Sequence, residues 1–140
     1  MEQLVVFLGE HYILTGLWVL LVVLIILSYV QAAASGSKTL SAAQATLMMN
    51  NEQAVVVDIR PAADFNKGHI LGAVNVSLEK LDDAKVLEKY KSKPIIVTCA
   101  NGLQSGTAVL KLKKQDFSQV HKLQRGMQSW LEDRLPLHKA

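Results

Sequence analysis

The sequence predicts an α/β domain with a parallel sheet and helices on both faces, preceded by one transmembrane helix. Three observations lead to this fold class. Short apolar runs rich in Val and Ile alternate with helical segments through roughly the last 100 residues. An uncharged, strongly apolar stretch occupies positions 12 to 30. The only cysteine, Cys99, follows one of the apolar runs, and sheets of this class carry their ligand sites at the ends of strands.

The chain divides into four expected segments. A short tail over 1–11 precedes a transmembrane helix over 12–30, a small-residue linker over 31–37 and the α/β domain over 38–140. About 18 apolar residues are enough to cross the hydrocarbon core as a helix. A cleavable signal peptide is the competing interpretation, because Ala32–Ser35 resembles a cleavage site. The tail has no Lys or Arg and the apolar run is long, which favours an uncleaved anchor.

Charge predicts how the anchor is oriented. All 15 Lys and Arg residues follow position 37, together with ten acidic residues, so this part has a net charge of +5. The positive-inside rule therefore places the domain in the cytoplasm and the N-terminal tail outside. A single cysteine is compatible with a reducing compartment. The basic excess is compatible with an anionic leaflet, but the lysines alternate with acids, which is typical of a solvated face. No aromatic-interleaved basic patch indicates nucleic acid, so we expect no nucleic-acid partner.

The expected strands are short apolar runs bounded by turn-forming or polar residues. The Val-rich run over 54–59 shows no alternation, which indicates a strand buried on both faces. The predicted strands are Ala54–Ile59, Ala73–Val76, Ile95–Thr98 and Val120–Leu123.

Helices are expected between these strands. Ser41 is a suitable N-cap for the first, and Pro61 fits the first turn of the second. In the helix after Cys99, the apolar face consists of Ala108, Val109 and Leu112. The predicted helices are Ser41–Asn50, Pro61–Asn66, Asp82–Tyr90, Ser105–Gln115 and Met127–Asp133.

Cys99 lies where a strand ends and a glycine-bearing turn leads into a helix. Backbone N–H groups of such a turn, together with the helix dipole, stabilise a thiolate and lower the pKa of the thiol. This arrangement predicts a nucleophile. The alternative is a buried structural cysteine, since free cysteine is among the most buried residue types. The position of Cys99 leaves both open.

Three separated motifs between residues 38 and 137 resemble those of the rhodanese-like family. The first contains Asp58-Ile-Arg60 and the loop Gly68-His69-Ile70-Leu-Gly72. The second, Cys99-Ala-Asn-Gly102-Leu-Gln-Ser105, resembles the active-site loop Cys-x-x-Gly-x-x-Ser of that family. The third is Gly126-Met-Gln-Ser-Trp130 with the later Leu-Pro. The whole chain resembles a bacterial single-domain member on an anchor in the inner (cytoplasmic) membrane.

The resemblance implies sulfur transfer. In that family the loop cysteine takes sulfane sulfur from a small donor such as thiosulfate, becomes a persulfide, and passes the sulfur to cyanide or a thiol. Cys99 is then the catalytic residue, and the substrate-binding loop consists of Ala100, Asn101, Gly102, Leu103, Gln104 and Ser105. Asp58, Arg60 and His69 correspond to structural support. Gly102 lets the backbone approach the sulfur. Ser105 is expected to cap the helix, with a hydrogen bond within the loop as the alternative. The four histidines and one cysteine have no metal-ligand spacing, so neither a metal nor a cofactor is expected.

Two departures from the family pattern bear on the donor. Ala100 and Gln104 stand where thiosulfate-using members often carry cationic residues, so the loop itself supplies no cation. A dianionic donor then depends on backbone dipoles and on a base elsewhere, such as Lys67 or Arg125. We therefore expect weaker use of thiosulfate than of a persulfide donor. Arg125 and Arg134 also replace glycines of the family pattern and are expected to alter the local backbone.

Two functions of different classes remain open from the sequence. The first is an anchored sulfurtransferase with a lipid bilayer, a sulfur donor and a thiol acceptor as its partners. The second is a rhodanese-like module with little or no activity that binds another membrane protein. Retention of Cys99, Gly102 and Ser105 favours the first function, and the absence of loop cations favours the second. A Cys99→Ser substitution distinguishes them, because only the first function needs the thiol.

Overall fold

The computed structural model describes residues 11–34 and 37–140, and the chain divides into two compact units between Gly36 and Ser37. Within the first unit, helix α1 (Tyr12–Ala34) contains an apolar window, Tyr12–Val30, that is long enough to cross a membrane. None of this window is buried in the described part of the chain. Most of the predicted tail over 1–11, and residues 35 and 36 of the predicted linker, lie outside the described residues.

The second unit is built on a five-stranded, fully parallel sheet, which confirms the predicted α/β class. Its order is β1-β5-β4-β2-β3, with β4 at the centre. Neighbouring strands are in register such that Asp58 pairs with both Thr98 and Asn75. The strands are β1 (Thr39–Leu40), β2 (Val55–Asp58), β3 (Val74–Asn75), β4 (Ile95–Thr98) and β5 (Val120–Leu123).

Three α-helices connect these strands, and a fourth follows the last one. They are α2 (Ala42–Glu52), α3 (Ala62–Lys67), α4 (Ser105–Lys114) and, after β5, α5 (Met127–Glu132). Helix α2 begins with a capping box, in which Ser41 Oγ accepts from the Gln44 N–H and Gln44 Oε1 accepts from the Ser41 N–H. The predicted N-cap at Ser41 is therefore confirmed.

The segment predicted to be helical over Asp82–Tyr90 is helical, but it is divided between two 3₁₀ helices. Two 3₁₀ helices, Leu78–Asp83 and Lys85–Tyr90, meet at Ala84, whose ψ of 71° is not helical. The side chains that this segment buries, Leu81, Ala84 and Leu87, are spaced by three residues. That spacing matches the three residues per turn of a 3₁₀ helix rather than the 3.6 of an α-helix.

The two faces of the sheet carry separate apolar cores, because side chains alternate along each strand. Val57 and Val97 lie in the cluster that includes the inner face of α4. Val56 and Ile96 lie in the opposite cluster, with Trp130 of α5. Ala108, Val109 and Leu112 are buried as predicted. The central strand β4 is thus covered on both faces, and the residue that follows it, Cys99, is held by a rigid support.

Candidate active site

The Cys99 thiol lies at the carboxyl end of β4 and receives two hydrogen bonds. The Gly102 N–H donates to Cys99 Sγ over 3.0 Å, and Ser105 Oγ donates to the same sulfur over 3.2 Å. Cys99 is 1% exposed and Ser105 is fully buried. A buried sulfur with two donors is in an environment that favours a sulfur anion.

Opposing effects act on the ionisation of Cys99. Burial raises the pKa of the thiol, and this is the largest single effect. The Ser105 hydroxyl and the backbone N–H groups of Gln104, Asn101 and Gly102 lower the pKa, and together they outweigh burial. The pKa of Cys99 is therefore below its ordinary value of 9.0. All of the groups that lower it are neutral, so the thiolate is stabilised by oriented dipoles rather than by a cation.

The loop is fastened to the start of α5. The Met127 N–H donates to the Cys99 carbonyl over 2.7 Å, and the Gln128 N–H donates to the Ala100 carbonyl over 3.1 Å. Gly126, with φ of +56°, packs so closely that a Cβ there would overlap the Cys99 carbonyl. Gly102 has φ of +88°, and its own Cβ would meet the Arg125 backbone at 3.0 Å. Both glycines are required by left-handed backbone and by close approach.

Ser105 does not cap α4, contrary to the prediction from the sequence. The N-cap residue is Gln104, whose side chain makes no capping hydrogen bond. The Ser105 hydroxyl donates its hydrogen bond to the Cys99 sulfur instead. Asn101 Oδ1 accepts from the Leu103 N–H over 3.1 Å, which closes the turn at the loop tip. Ala100 and Leu103 are exposed, the latter by 82%. The loop therefore exposes two apolar side chains, Ala100 and Leu103, beside two polar ones, Asn101 and Gln104.

The two cations named from the sequence are both paired elsewhere. The Arg125 guanidinium forms a double hydrogen bond with the Glu132 carboxylate at 2.7 and 2.8 Å. Lys67 Nζ lies 3.2 Å from Asp64 Oδ1 on α3. Arg125 adjoins the loop through its backbone, but its charge is neutralised by Glu132. Arg125 and Arg134 have φ of 55° and 51°, so both adopt left-handed backbone, the conformation that glycine adopts most easily.

Asp58 and Arg60 form a buried pair at the end of β2. Arg60 Nε and Nη2 donate to the Asp58 carboxylate at 3.0 and 2.7 Å, and Nη2 also donates to the Gly68 carbonyl at 2.9 Å. The Asn75 side-chain amide donates to the backbone carbonyls of Asp58 and Arg60. These bonds tie the ends of β2 and β3 to the loop that begins at Gly68.

His69 lies in that loop and does not contact Cys99. Its ring stacks on Phe65 with centroids 3.7 Å apart, and Nδ1 lies 2.8 Å from the Phe65 carbonyl. The backbone of His69 pairs with that of His138 through two hydrogen bonds, at 2.9 and 2.8 Å. His69 thus packs against the C-terminal segment. Among the described residues, no group of three His, Cys, Asp or Glu side chains is arranged to hold a metal ion.

The fold and the site define a class of protein: a parallel α/β domain with a thiol in a donor-lined loop after the central strand. Residues 41–133 match the family model of the rhodanese-like domain. The chain belongs to the rhodanese-like family.

Relatives support this assignment over different lengths. YibN of Escherichia coli K12 is 37% identical over 139 residues, which cover 98% of this chain and 97% of YibN. The thiosulfate sulfurtransferase GlpE of Glaesserella parasuis is 34% identical over 95 residues, which cover 67% of this chain and 86% of GlpE. The crystal structure of a rhodanese-related protein from Thermoplasma volcanium matches with a TM-score of 0.64 and 28% identity. That match covers 74% of this chain and 99% of the other.

Proposed function

We propose that the protein is a membrane-anchored sulfurtransferase that carries sulfane sulfur as a Cys99 persulfide. One observation carries the proposal: the Cys99 sulfur accepts hydrogen bonds from Gly102 and Ser105 in a loop that lowers its pKa. Membership of the rhodanese-like family and similarity to thiosulfate sulfurtransferases support the same chemistry.

The transfer takes place in two displacements. The Cys99 thiolate attacks the outer sulfur of the donor, a new S–S bond forms, and the donor's S–S bond breaks. With thiosulfate as the donor, the leaving group is sulfite. With an alkyl persulfide as the donor, the leaving group is the corresponding thiolate. In the second step the acceptor attacks the terminal sulfur of the Cys99 persulfide. The Cys99 thiolate leaves, and cyanide becomes thiocyanate or a thiol becomes a persulfide. The Gly102 N–H and the Ser105 hydroxyl stabilise the anionic sulfur before and after each displacement.

The loop favours a persulfide donor over thiosulfate. Thiosulfate carries two negative charges, whereas the donors to the sulfur are neutral and the nearby Arg125 is paired with Glu132. Bringing a dianion to a site without a cation leaves its charge uncompensated. In an alkyl persulfide, the outer sulfur is attached to a sulfur that carries an alkyl group, not to the charged SO₃ group of thiosulfate. The exposed Leu103 offers that alkyl group an apolar contact.

The anchoring part of the proposal rests on α1. This helix has one apolar window, Tyr12–Val30, without a charged residue, and a bilayer would cover the side chains that the described chain leaves exposed. The basic excess that follows the helix supports a cytoplasmic domain at the bacterial inner membrane. Alkaline extraction of membranes tests the anchor, and protease added to spheroplasts tests the orientation. We expect the chain to resist extraction and its domain to be cut only after lysis.

Intact-mass spectrometry of the full chain in detergent tests the chemistry. After incubation with an alkyl persulfide, the wild type should gain one sulfur atom and lose it to cyanide, and Cys99→Ser should gain none. Thiosulfate should load the wild type more slowly than the persulfide. Absence of an adduct from either donor on folded protein would refute the sulfurtransferase proposal. It would leave the second candidate, an interaction module, which the exposed Leu103 favours.

A further inference from the structure

Charged residues are distributed unevenly between the two ends of the sheet. In a parallel sheet all strands begin at one edge, here called the amino edge, and end at the other, the carboxyl edge, where Cys99 lies. Several lysines directly precede β1 or β4, or lie at the end of α4 before β5 begins. These amino-edge lysines are Lys38, Lys89, Lys91, Lys93, Lys113 and Lys114.

Contacts between these segments show that they lie side by side. The Ile95 N–H donates to the Gln119 carbonyl over 2.8 Å, which joins the entry of β4 to that of β5. Lys91 Nζ lies 5.7 Å from the centroid of the Phe117 ring in the segment after α4. At the entry of β1, the Lys38 N–H donates to Nδ1 of His121 over 3.2 Å. The amino-edge lysines therefore form one surface.

The amino-edge lysines are unpaired, in contrast to several cations near the carboxyl edge. None of the six makes an ion pair within residues 37–140, and four of them, Lys38, Lys89, Lys91 and Lys114, are exposed. Two acids lie in the same segments, Glu88 and Asp116. At the other edge, ion pairs join Arg60 to Asp58 and Arg125 to Glu132.

Local structure explains only part of this concentration. Lys113 and Lys114 complement the negative C-terminal end of the α4 dipole. Lys89 and Lys91 have their ammonium groups 5.0 and 5.7 Å from the centroids of the Tyr90 and Phe117 rings. Lys38 and Lys93 lie outside the helices, and no ion pair or ring contact occupies their side chains within residues 37–140. An exposed, unpaired set of one sign attracts a surface of the opposite sign.

We propose that the amino edge is a docking surface for an anionic lipid membrane. The inference rests on the proposed anchoring, because Ser37 and Lys38 begin the domain at this edge only a few residues after the apolar window ends. Lysines near an anionic leaflet contribute additively to binding. In this arrangement the carboxyl edge with Cys99 faces away from the lipid, toward soluble sulfur donors and acceptors.

The experiment uses the fragment 37–140, because the full chain would enter vesicles through α1. This fragment has both apolar cores and is a compact unit. The Thermoplasma volcanium chain, 99% of which is covered by the match, has such a domain alone. We therefore expect the fragment to fold by itself, and circular dichroism of the wild-type fragment checks this before any vesicle is added. We expect it to sediment with vesicles of phosphatidylglycerol and phosphatidylcholine in equal parts at low salt, and not with phosphatidylcholine alone. Raising the salt should release it.

A matched pair of double variants locates the surface. Lys91→Glu with Lys114→Glu should lower binding by more than about tenfold. Lys80→Glu with Lys85→Glu makes the same change in net charge with exposed lysines outside the amino edge, and should retain most of the binding. Circular dichroism checks that both are folded. Equal losses in the two variants, or no binding by the wild-type fragment, would overturn the proposal. Neither result would affect sulfur loading or extraction of the full chain, so the proposed function is tested separately.

Discussion

The Cys99 loop and the network around Asp58 are both buried and polar, yet their hydrogen bonds are organised differently. In the network, the Arg60 side chain donates hydrogen bonds to the Asp58 carboxylate and to a backbone carbonyl, and the Asn75 side chain donates to two more backbone carbonyls. In the loop, donors converge on a single sulfur, Sγ of Cys99, which is a free thiol.

This comparison shows how to distinguish residues that stabilise the fold from residues that take part in the reaction, although both belong to the motifs of one family. A closed network contributes to stability, and removing one partner leaves the other buried without compensation. A set of donors that converges on one nucleophile stabilises its charged form and is available to a substrate.

Asp58→Asn should destabilise the domain by about 3 kcal/mol or more, because Arg60 then keeps a buried charge without a carboxylate. Urea unfolding measures the effect. The matched control is Asp64→Asn, which breaks the exposed pair with Lys67 and should cost less than about 1 kcal/mol. The folded fraction of Asp58→Asn should still load sulfur on Cys99. Equal destabilisation by the two variants would show that the Asp58 network does not brace the fold.

Gly126→Ala should distort the Cys99 loop, because the new Cβ overlaps the Cys99 carbonyl and the left-handed backbone costs about 1–3 kcal/mol. The rate of sulfur loading should fall by at least about tenfold, as measured by intact mass over time. Gly106→Ala is the control, since a Cβ there meets no atom within 4 Å and the residue lies in α4. That variant should load normally and gain about 0.5–1 kcal/mol of stability. A normal rate of sulfur loading in Gly126→Ala would contradict the close packing of Gly126 against the Cys99 carbonyl.

His121 should make stability depend on pH without involving the thiol. Burial lowers the pKa of His121 below its ordinary value of 6.5, and the positive charges of Lys38 and Lys113 lower it further, against a smaller opposing effect of Glu52. The folded state therefore binds fewer protons than the unfolded state as pH falls below about 6.5, and stability decreases there. Chemical unfolding at a series of pH values should show this slope in the wild type and a reduced one in His121→Asn. An unchanged slope would assign it to another group.

Glu132→Gln should give the smallest effect. It releases the guanidinium of Arg125, whose backbone adjoins the loop, and thiosulfate loading should rise about two- to fivefold. Loading from a neutral alkyl persulfide donor should change less, and Arg125→Gln with Glu132→Gln should cancel the gain. If loading from both donors rises equally, the Arg125–Glu132 pair acts through the geometry of the loop and does not discriminate between donors by their charge.

The central strand Ile95–Thr98 was predictable because burial on both faces produces an unbroken run of apolar and β-branched residues. Ile95–Thr98 and Val120–Leu123 have the predicted bounds. Strand β1 (Thr39–Leu40) was not predicted, because two residues carry no periodicity and pair only through β5. The helical segment over Asp82–Tyr90 was predictable, but its division at Ala84 into two 3₁₀ helices was not, because no local pattern marks the break.

The site was predictable in part. The position of Cys99 followed from the strand before it and the turn after it. Ser105 was assigned to a cap because its place before a helix is typical of one, whereas its hydroxyl donates to the sulfur. The packing of Gly126 on the Cys99 carbonyl and the pairing of Arg125 with Glu132 depend on tertiary contacts that no local pattern encodes.

Ionisation of the Cys99 thiol tests the central claim most directly. Because Cys99 is the only cysteine, the pH dependence of alkylation by iodoacetamide reports on this residue alone. The account predicts a midpoint below 9.0 for the folded protein and below that of the same chain in urea. Ser105→Ala should move the folded midpoint upward by removing one donor to the sulfur. A folded midpoint at or above the unfolded one would contradict the claim that this loop stabilises a thiolate.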